Sequence, residues 1–105
     1  IKTDKVILPE DNVNNYDSYV MMITKCDNRD KLQKYLLDNK IPSIVYYGTP
    51  LHLHKASKSL SYEKNNLPNA EKIAHQVLSF PHHQYLKEDQ IEYICNYINK
   101  FYNNV

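Results

Sequence analysis

Four of the five histidines fall in two short clusters, so they are the first residues to consider for chemistry. His52 and His54 are separated by one residue, and His82 and His83 are adjacent. Imidazole nitrogens from two converging loops could bind a transition metal. No carboxylate is placed to complete such a site, however, and adjacent histidines in a loop are commonly surface residues. We therefore expect no metal site.

The two cysteines show neither a disulfide pattern nor a zinc pattern. Cys26 and Cys95 are far apart, and neither belongs to a C-x-x-C motif. Cys95 could act as a nucleophile beside a histidine base, but it lies on the apolar stripe of the last predicted helix, where a buried thiol is the commoner arrangement. Cys26 follows a predicted strand, and we expect it to be half exposed and not activated. This use of cysteine favours a reducing, cytoplasmic compartment.

Tyr46 and Tyr47 are the aromatic residues placed best to face a ligand. They end a predicted strand directly before Gly48, and alternation along a strand sends their rings to opposite faces. One ring would then pack in the core while the other projects beside the turn that leads to His52. Such an edge suits a substrate, although packing is the commoner role of tyrosines at the end of a strand.

The composition excludes several classes of protein. With 105 residues, the chain is expected to form a single domain over residues 1–105. Its 13 basic and 12 acidic residues nearly cancel and are interspersed, which argues against binding to nucleic acid. No apolar run approaches the roughly 20 residues that cross a bilayer, so we expect no membrane partner. The single glycine, Gly48, leaves no glycine-rich loop for binding phosphate.

Prolines, asparagines and the spacing of apolar residues predict short strands that alternate with helices. Asp27 or Asn28 is predicted to cap the first helix and Asn69 a later one. At the end of the first helix, Asn39 or Lys40 must take the turn conformation that glycine adopts most easily. The predicted elements are a strand over 6–8, a central strand over 16–24, a helix from 29 to 38–40, a strand over 43–47, a weak helix over 51–60, a helix over 70–78, at most an edge strand over 79–81, and a long helix over 87–102 with Ile91, Ile94, Cys95, Ile98 and Phe101 or Tyr102 on its core face. A small antiparallel or mixed sheet with about three helices packed on one face is an α+β fold.

Several motifs occur in an order that is found in one enzyme family. They are NRDKLQKYL at 28–36, IPS at 41–43, YY at 46–47, TPLHL at 49–53, LPNAEKIA at 67–74, VLSFP at 77–81, YL at 85–86 and IEYI at 91–94. Over nearly the whole chain this order resembles the C-terminal domain of the DegT/DnrJ/EryC1/StrS family. Members of that family are sugar aminotransferases that depend on pyridoxal phosphate and have aminotransferase fold type I.

The resemblance implies that the cofactor, pyridoxal phosphate, is bound by a larger N-terminal domain that is absent here. That domain would supply the lysine that binds the cofactor, the carboxylate beside its pyridine nitrogen and most contacts to its phosphate. None of the twelve lysines of this chain matches the family's lysine motif. We therefore expect no catalytic or cofactor-binding residue in this chain, no activity of the chain alone, and further sequence upstream of Ile1.

The resemblance also implies which residues bind the substrate. The family's tyrosine-containing turn falls on Tyr46, Tyr47 and Gly48, so Tyr46 or Tyr47 would donate a hydrogen bond to an oxygen of a sugar nucleotide. His52 would line the same edge. Many relatives carry histidine at the position of Tyr46 and proline at that of Gly48, so recognition of the sugar is expected to differ here.

For the full enzyme, the resemblance implies transfer of an amino group from glutamate to a nucleotide-linked keto-sugar, in the synthesis of cell-surface polysaccharides or amino sugars. The enzyme would be a cytoplasmic homodimer. Two alternatives remain open at this point. The chain could be a freestanding binding or assembly module of the same fold, or part of a dehydratase-like relative that uses the same cofactor without net amino transfer.

Overall fold

The computed structural model describes residues 1–10 and 12–103 of the chain. In this part of the chain, three short strands and three α-helices form most of the regular structure. The elements are β1 (Val6–Ile7), β2 (Ile23–Cys26), α1 (Arg29–Asp38), α2 (Pro68–Gln76), β3 (Val77–Ser79) and α3 (Glu88–Asn103). Two 3₁₀ helices, Leu51–Leu53 and Lys55–Leu60, lie between α1 and α2. The sheet is antiparallel, with β2 between β1 and β3. The predicted α+β fold is confirmed.

The core forms where α1 and α3 pack together and against β3. Leu32 and Leu36 lie one helical turn apart on α1, and both are fully buried. Ile98 of α3 and Leu78 of β3 are fully buried in the same cluster. Each of these side chains stabilises the fold by about 1.5–3 kcal/mol through removal of apolar surface from water. On α3 the predicted core face is confirmed at Ile98 and Phe101, which are buried, and is wrong at Ile91, which is 47 % exposed.

The predicted central strand is much shorter than expected. β2 is central, but it begins only at Ile23, and the strand prediction is wrong for residues 16–22. Tyr19 has a φ of 48°, which no extended strand contains. Tyr16 and Val20 are 99 % and 78 % exposed, so this segment lacks the packing that makes aromatic and β-branched residues favourable in strands.

The predicted strand over residues 43–47 is reduced to a single β-bridge. Ile44 and Ser79 exchange two backbone hydrogen bonds, with N···O distances of 3.0 and 2.8 Å. The bridge is isolated, and no further pairs of residues extend it into a ladder. Val77 and Leu78, which the sequence placed in a helix, pair instead with Lys25 and Thr24 of β2. Tertiary pairing thus overrides their local helical pattern.

Both ends of α1 depend on residues in the left-handed region. Asn28 is the N-cap residue, as predicted, but it has a φ of 52° and its side chain makes no capping hydrogen bond. At the other end, Lys40 has φ of 61°, as predicted. The amide of Lys40 donates to Leu37 O at 3.0 Å and that of Ile41 to Leu36 O at 2.9 Å. These two bonds are the Schellman motif, in which glycine is the usual left-handed residue.

The ends of α2 also differ from the prediction. The helix begins at Pro68 with Leu67 as the N-cap residue, so Asn69 lies within the first turn and does not cap it. Proline is favoured at this first position because its missing N–H has no partner there in any case. The preceding weak helical pattern over 51–60 forms the two 3₁₀ helices.

Candidate functional site

Tyr46 and Tyr47 line an open groove of about 520 Å³ between the segment that follows them and one face of α2. We call this the tyrosine groove. Its other lining residues are Thr49, Pro50, Leu51 and His54 from the following segment, and Ala70, Ile73, Ala74 and Val77 from α2 and the start of β3. Apolar side chains form most of the wall, so the groove presents an apolar surface with two phenols at one side.

The two tyrosines stand together in this groove. Tyr46 is half-buried and Tyr47 is 73 % exposed. Their ring centroids are 5.8 Å apart and the planes meet at 78°, an edge-to-face contact. The prediction that they point to opposite faces is wrong, because they do not belong to a strand and both line the same groove. Two phenol hydroxyls near one apolar wall suit a ligand that has both polar and apolar faces.

Gly48 follows the tyrosines without a conformation that requires glycine. Its φ is not positive, and an added Cβ would meet only Val45 Cγ1, at an ordinary contact distance of 3.4 Å. The turn is shaped by its neighbours instead. The amides of Leu53 and His54 donate to Pro50 O and Leu51 O, at 3.0 and 3.2 Å.

His52 lies beside the groove wall but is not among the groove's lining residues. The residue is only 7 % exposed, and Nε2 lies 3.0 Å from Glu71 Oε1. The Tyr62 ring meets the imidazole edge-on, with centroids 6.2 Å apart. The structure therefore brings Tyr46 and Tyr47 together and places His52 behind the turn. A direct contact of His52 with substrate stays a prediction.

Glu71 is the buried partner of His52, and the sequence reasoning missed it. Its Oε1 also accepts a hydrogen bond from the backbone N–H of Asn65, at 2.7 Å. Burial acts to raise the pKa of this carboxyl, but hydrogen bonds from His52 and from the amides of Asn65 and Leu67 outweigh it and hold the pKa below its ordinary value. One feature of the sequence could have indicated Glu71. It is the single carboxylate of α2, it lies in the first turn of the helix, and it follows Ala70, which lines the groove.

Two side-chain hydrogen bonds within the chain segment 49–57 stabilise the turn after Gly48. His54 Nε2 lies 3.1 Å from Thr49 O, and a ring nitrogen that carries hydrogen donates to that carbonyl. The Ser57 hydroxyl donates to Leu51 O at 2.7 Å. At the opposite side of the groove, the buried Arg29 guanidinium donates to Val77 O at 2.9 Å and so fixes the start of β3.

The second histidine cluster lies elsewhere and makes different contacts. His82 has both ring nitrogens near backbone carbonyls: Nδ1 is 3.2 Å from Phe80 O, and Nε2 is 3.0 Å from Val20 O. His83 Nδ1 accepts a hydrogen bond from the amide of Tyr85 at 3.2 Å. Within residues 1–10 and 12–103, no group of three or more His, Cys, Asp or Glu side chains is arranged to hold a metal ion.

Neither cysteine adds a reactive group to the site. Cys26 is 1 % exposed, so the expectation of half exposure is wrong. Its thiol lies 3.3 Å from the Thr24 hydroxyl, and desolvation by burial raises the pKa of the thiol. Cys26 is buried because it ends β2, the central strand, which pairs with β1 on one side and β3 on the other. Cys95 of α3 is half-buried and free.

The chain folds as a small α+β unit with the tyrosine groove on its surface, and comparison with known proteins identifies its family. The model of the DegT/DnrJ/EryC1/StrS aminotransferase family matches residues 2–99. The chain belongs to this family. The members of the family that it resembles are sugar aminotransferases that depend on pyridoxal phosphate.

The chain is also similar to individual proteins and solved structures. A pleiotropic regulatory protein of Geobacillus stearothermophilus is 37 % identical over 94 % of this chain and 27 % of its own length. The UDP-2-acetamido-2-deoxy-3-oxo-D-glucuronate aminotransferase of Pseudomonas aeruginosa is 37 % identical over 79 % of this chain and 22 % of its own length. The crystal structure of a DegT/DnrJ/EryC1/StrS aminotransferase from Brucella abortus is 36 % identical, with a TM-score of 0.84 over 93 % of this chain and 26 % of that one.

The chain spans about a quarter of the length of the curated relatives it matches. None of the helices in the described part of the chain is long and apolar enough to cross a membrane.

Proposed function

We propose that this chain is the C-terminal part of a sugar-nucleotide aminotransferase and that the tyrosine groove forms one side of its substrate site. The observation that carries the proposal is the pairing of two tyrosines in one groove of a chain that belongs to this aminotransferase family. The similar protein from Pseudomonas aeruginosa is described as acting on a UDP-linked keto-sugar. We therefore expect the substrate of the whole protein to be a nucleotide-linked keto-sugar.

In this proposal the tyrosines bind and orient the sugar. Each phenol can donate one hydrogen bond and accept others, so Tyr46 or Tyr47 would contact a hydroxyl, keto or phosphate oxygen. The apolar side chains of the groove, among them Leu51 and Ile73, would cover the carbon face of the sugar and exclude water from that side. His52 would contribute at the same edge through the turn that it supports.

The residues of the tyrosine groove do not fit pyridoxal phosphate. The side chains that line the tyrosine groove in the described part of the chain include no lysine to bind the aldehyde and no carboxylate to pair with the pyridine nitrogen. We therefore propose that a separate N-terminal domain holds the cofactor, that this chain is inactive alone, and that none of its residues is catalytic.

The whole protein would convert glutamate to 2-oxoglutarate while the keto group of the sugar becomes an amine. We propose that it acts as a cytoplasmic homodimer in the synthesis of amino sugars or cell-surface polysaccharides. The support for these points is the chain's family membership.

The test uses the protein encoded by the complete reading frame. After incubation with glutamate and without sugar, we expect 2-oxoglutarate to form in an amount equal to the bound cofactor, because the amino group has no acceptor. A reading frame with no cofactor-binding segment would contradict the proposal and favour a freestanding module. Cofactor binding without formation of 2-oxoglutarate would favour the dehydratase-like alternative.

A further inference from the structure

Glu71 links three separate segments of the chain at one carboxylate oxygen. Its Oε1 lies 3.0 Å from His52 Nε2 in the first 3₁₀ helix and accepts from the amide of Asn65 in the following loop at 2.7 Å. Glu71 itself belongs to the first turn of α2. The carboxylate thus connects α2, which forms one wall of the tyrosine groove, to the segment around His52, which forms the opposite wall.

The groove lies directly beside this carboxylate. Ala70, the residue before Glu71, lines the groove from α2, and Leu51, the residue before His52, lines it from the opposite wall. Glu71 is 9 % exposed and His52 is 7 % exposed, whereas Leu51 is 82 % exposed and has little packing of its own. Leu51 is therefore held in place mainly through its neighbour His52, whose imidazole makes the buried contact with Glu71.

We infer that Glu71 is a positioning residue for the tyrosine groove, acting through His52 to fix the turn over residues 49–54. We call residues 49–54 the groove turn. The identity of the ligand in this inference rests on the proposed function. The effect of Glu71 on the groove turn is independent of that function. Glu71 would touch neither the sugar nor the cofactor. It would set the distance between the turn and α2, and with it the fit of a nucleotide-linked sugar between them.

Hydrogen exchange of single amides separates this role from a general effect on stability. The amides of Leu53 and His54 donate hydrogen bonds within the groove turn, and the amide of Ser79 donates to Ile44 O in the single β-bridge between these residues. Glu71→Gln keeps the shape of the side chain and removes its charge. We expect exchange at Leu53 and His54 to become about tenfold faster or more, since hydrogen bonds to charged groups are the stronger kind.

The matched control is Glu63→Gln, which removes an exposed carboxylate from the loop before α2. The expected result is that Glu71→Gln accelerates exchange at Ser79 much less than exchange in the groove turn, and that Glu63→Gln accelerates neither. Equal acceleration at Ser79 and in the groove turn, or no acceleration in the groove turn, would overturn the inference. If Glu71→Gln does not fold, His52→Gln removes the same pair from the other side. Failure of both variants to fold would show that the pair stabilises the whole domain, which also overturns a positioning role.

A binding measurement tests the same idea at the ligand. The probe is UDP-N-acetylglucosamine, titrated by calorimetry into the protein of the complete reading frame. We expect the dissociation constant to rise about fivefold or more in Glu71→Gln relative to Glu63→Gln. Equal affinity in the two variants would overturn the inference. Absence of binding to the wild-type protein would instead count against the proposed function, while the exchange rates would still decide whether Glu71 holds the turn.

Discussion

Replacement of Lys40 by glycine is expected to stabilise the domain. Lys40 has φ of 61° at the end of α1, a conformation that costs an L-residue with a side chain about 1–2 kcal/mol. Glycine avoids this cost but adds flexibility to the unfolded chain, which offsets about 0.4–1 kcal/mol of the gain. The net increase in the free energy of unfolding is therefore about 0.5–1 kcal/mol. For a domain of this size, the melting temperature should rise by roughly 2–6 °C.

Two matched variants separate the backbone effect from loss of the lysine side chain. Lys40→Ala removes the side chain and keeps the strain, so it should be no more stable than the wild type. Lys34→Gly places glycine at an exposed position inside α1 and should cost about 1 kcal/mol. All variants are compared by thermal and urea denaturation followed by circular dichroism. A Lys40→Gly protein no more stable than Lys40→Ala would refute the assignment of strain to this residue.

Three further predictions concern other parts of the chain. Gly48→Ala should change the free energy of unfolding by less than about 1 kcal/mol, because the added methyl meets only an ordinary contact; a larger loss in urea denaturation would contradict this. The lowered pKa of Glu71 means that its ionised form stabilises the fold above its unfolded pKa, and that this contribution is lost as pH falls through its folded pKa. Thermal scans from about pH 6 to about pH 3 should therefore show a smaller loss of stability in Glu71→Gln than in the wild type, and parallel curves would count against the ionised pair. His82→Ala should increase the mobility of the Val20 methyl groups in NMR relaxation, whereas His83→Ala should not, since only His82 contacts Val20 O.

The sequence predicted the elements whose pattern is local. The apolar spacing of Leu32 and Leu36 predicted α1, and both residues are in the core. The left-handed turn at Lys40 was also predictable, because the helix had to end before a proline without glycine. The family was evident from the order of its motifs, which the matching family model confirms.

Other features depended on contacts that the sequence does not display. Residues 16–22 have the composition of a strand, but composition does not reveal whether a neighbouring strand is available. Val77 and Leu78 have a helical pattern, yet pairing with β2 makes them a strand. The contact of His52 with Glu71 joins residues that are distant in sequence, and only the folded chain brings them together. For the same reason, the sequence identified both groove tyrosines but not the carboxylate beside them.

The most direct test of the account is the effect of the two groove tyrosines on KM for the sugar. In the protein of the complete reading frame, Tyr46→Phe combined with Tyr47→Phe removes both hydroxyls and keeps both rings. The control is Tyr16→Phe, at a residue that is 99 % exposed and outside the groove. We predict that KM for a nucleotide-linked keto-sugar rises about three- to tenfold in the double variant, as expected for the loss of one hydrogen bond. The same KM in the double variant and in Tyr16→Phe would contradict the claim that this groove binds the substrate.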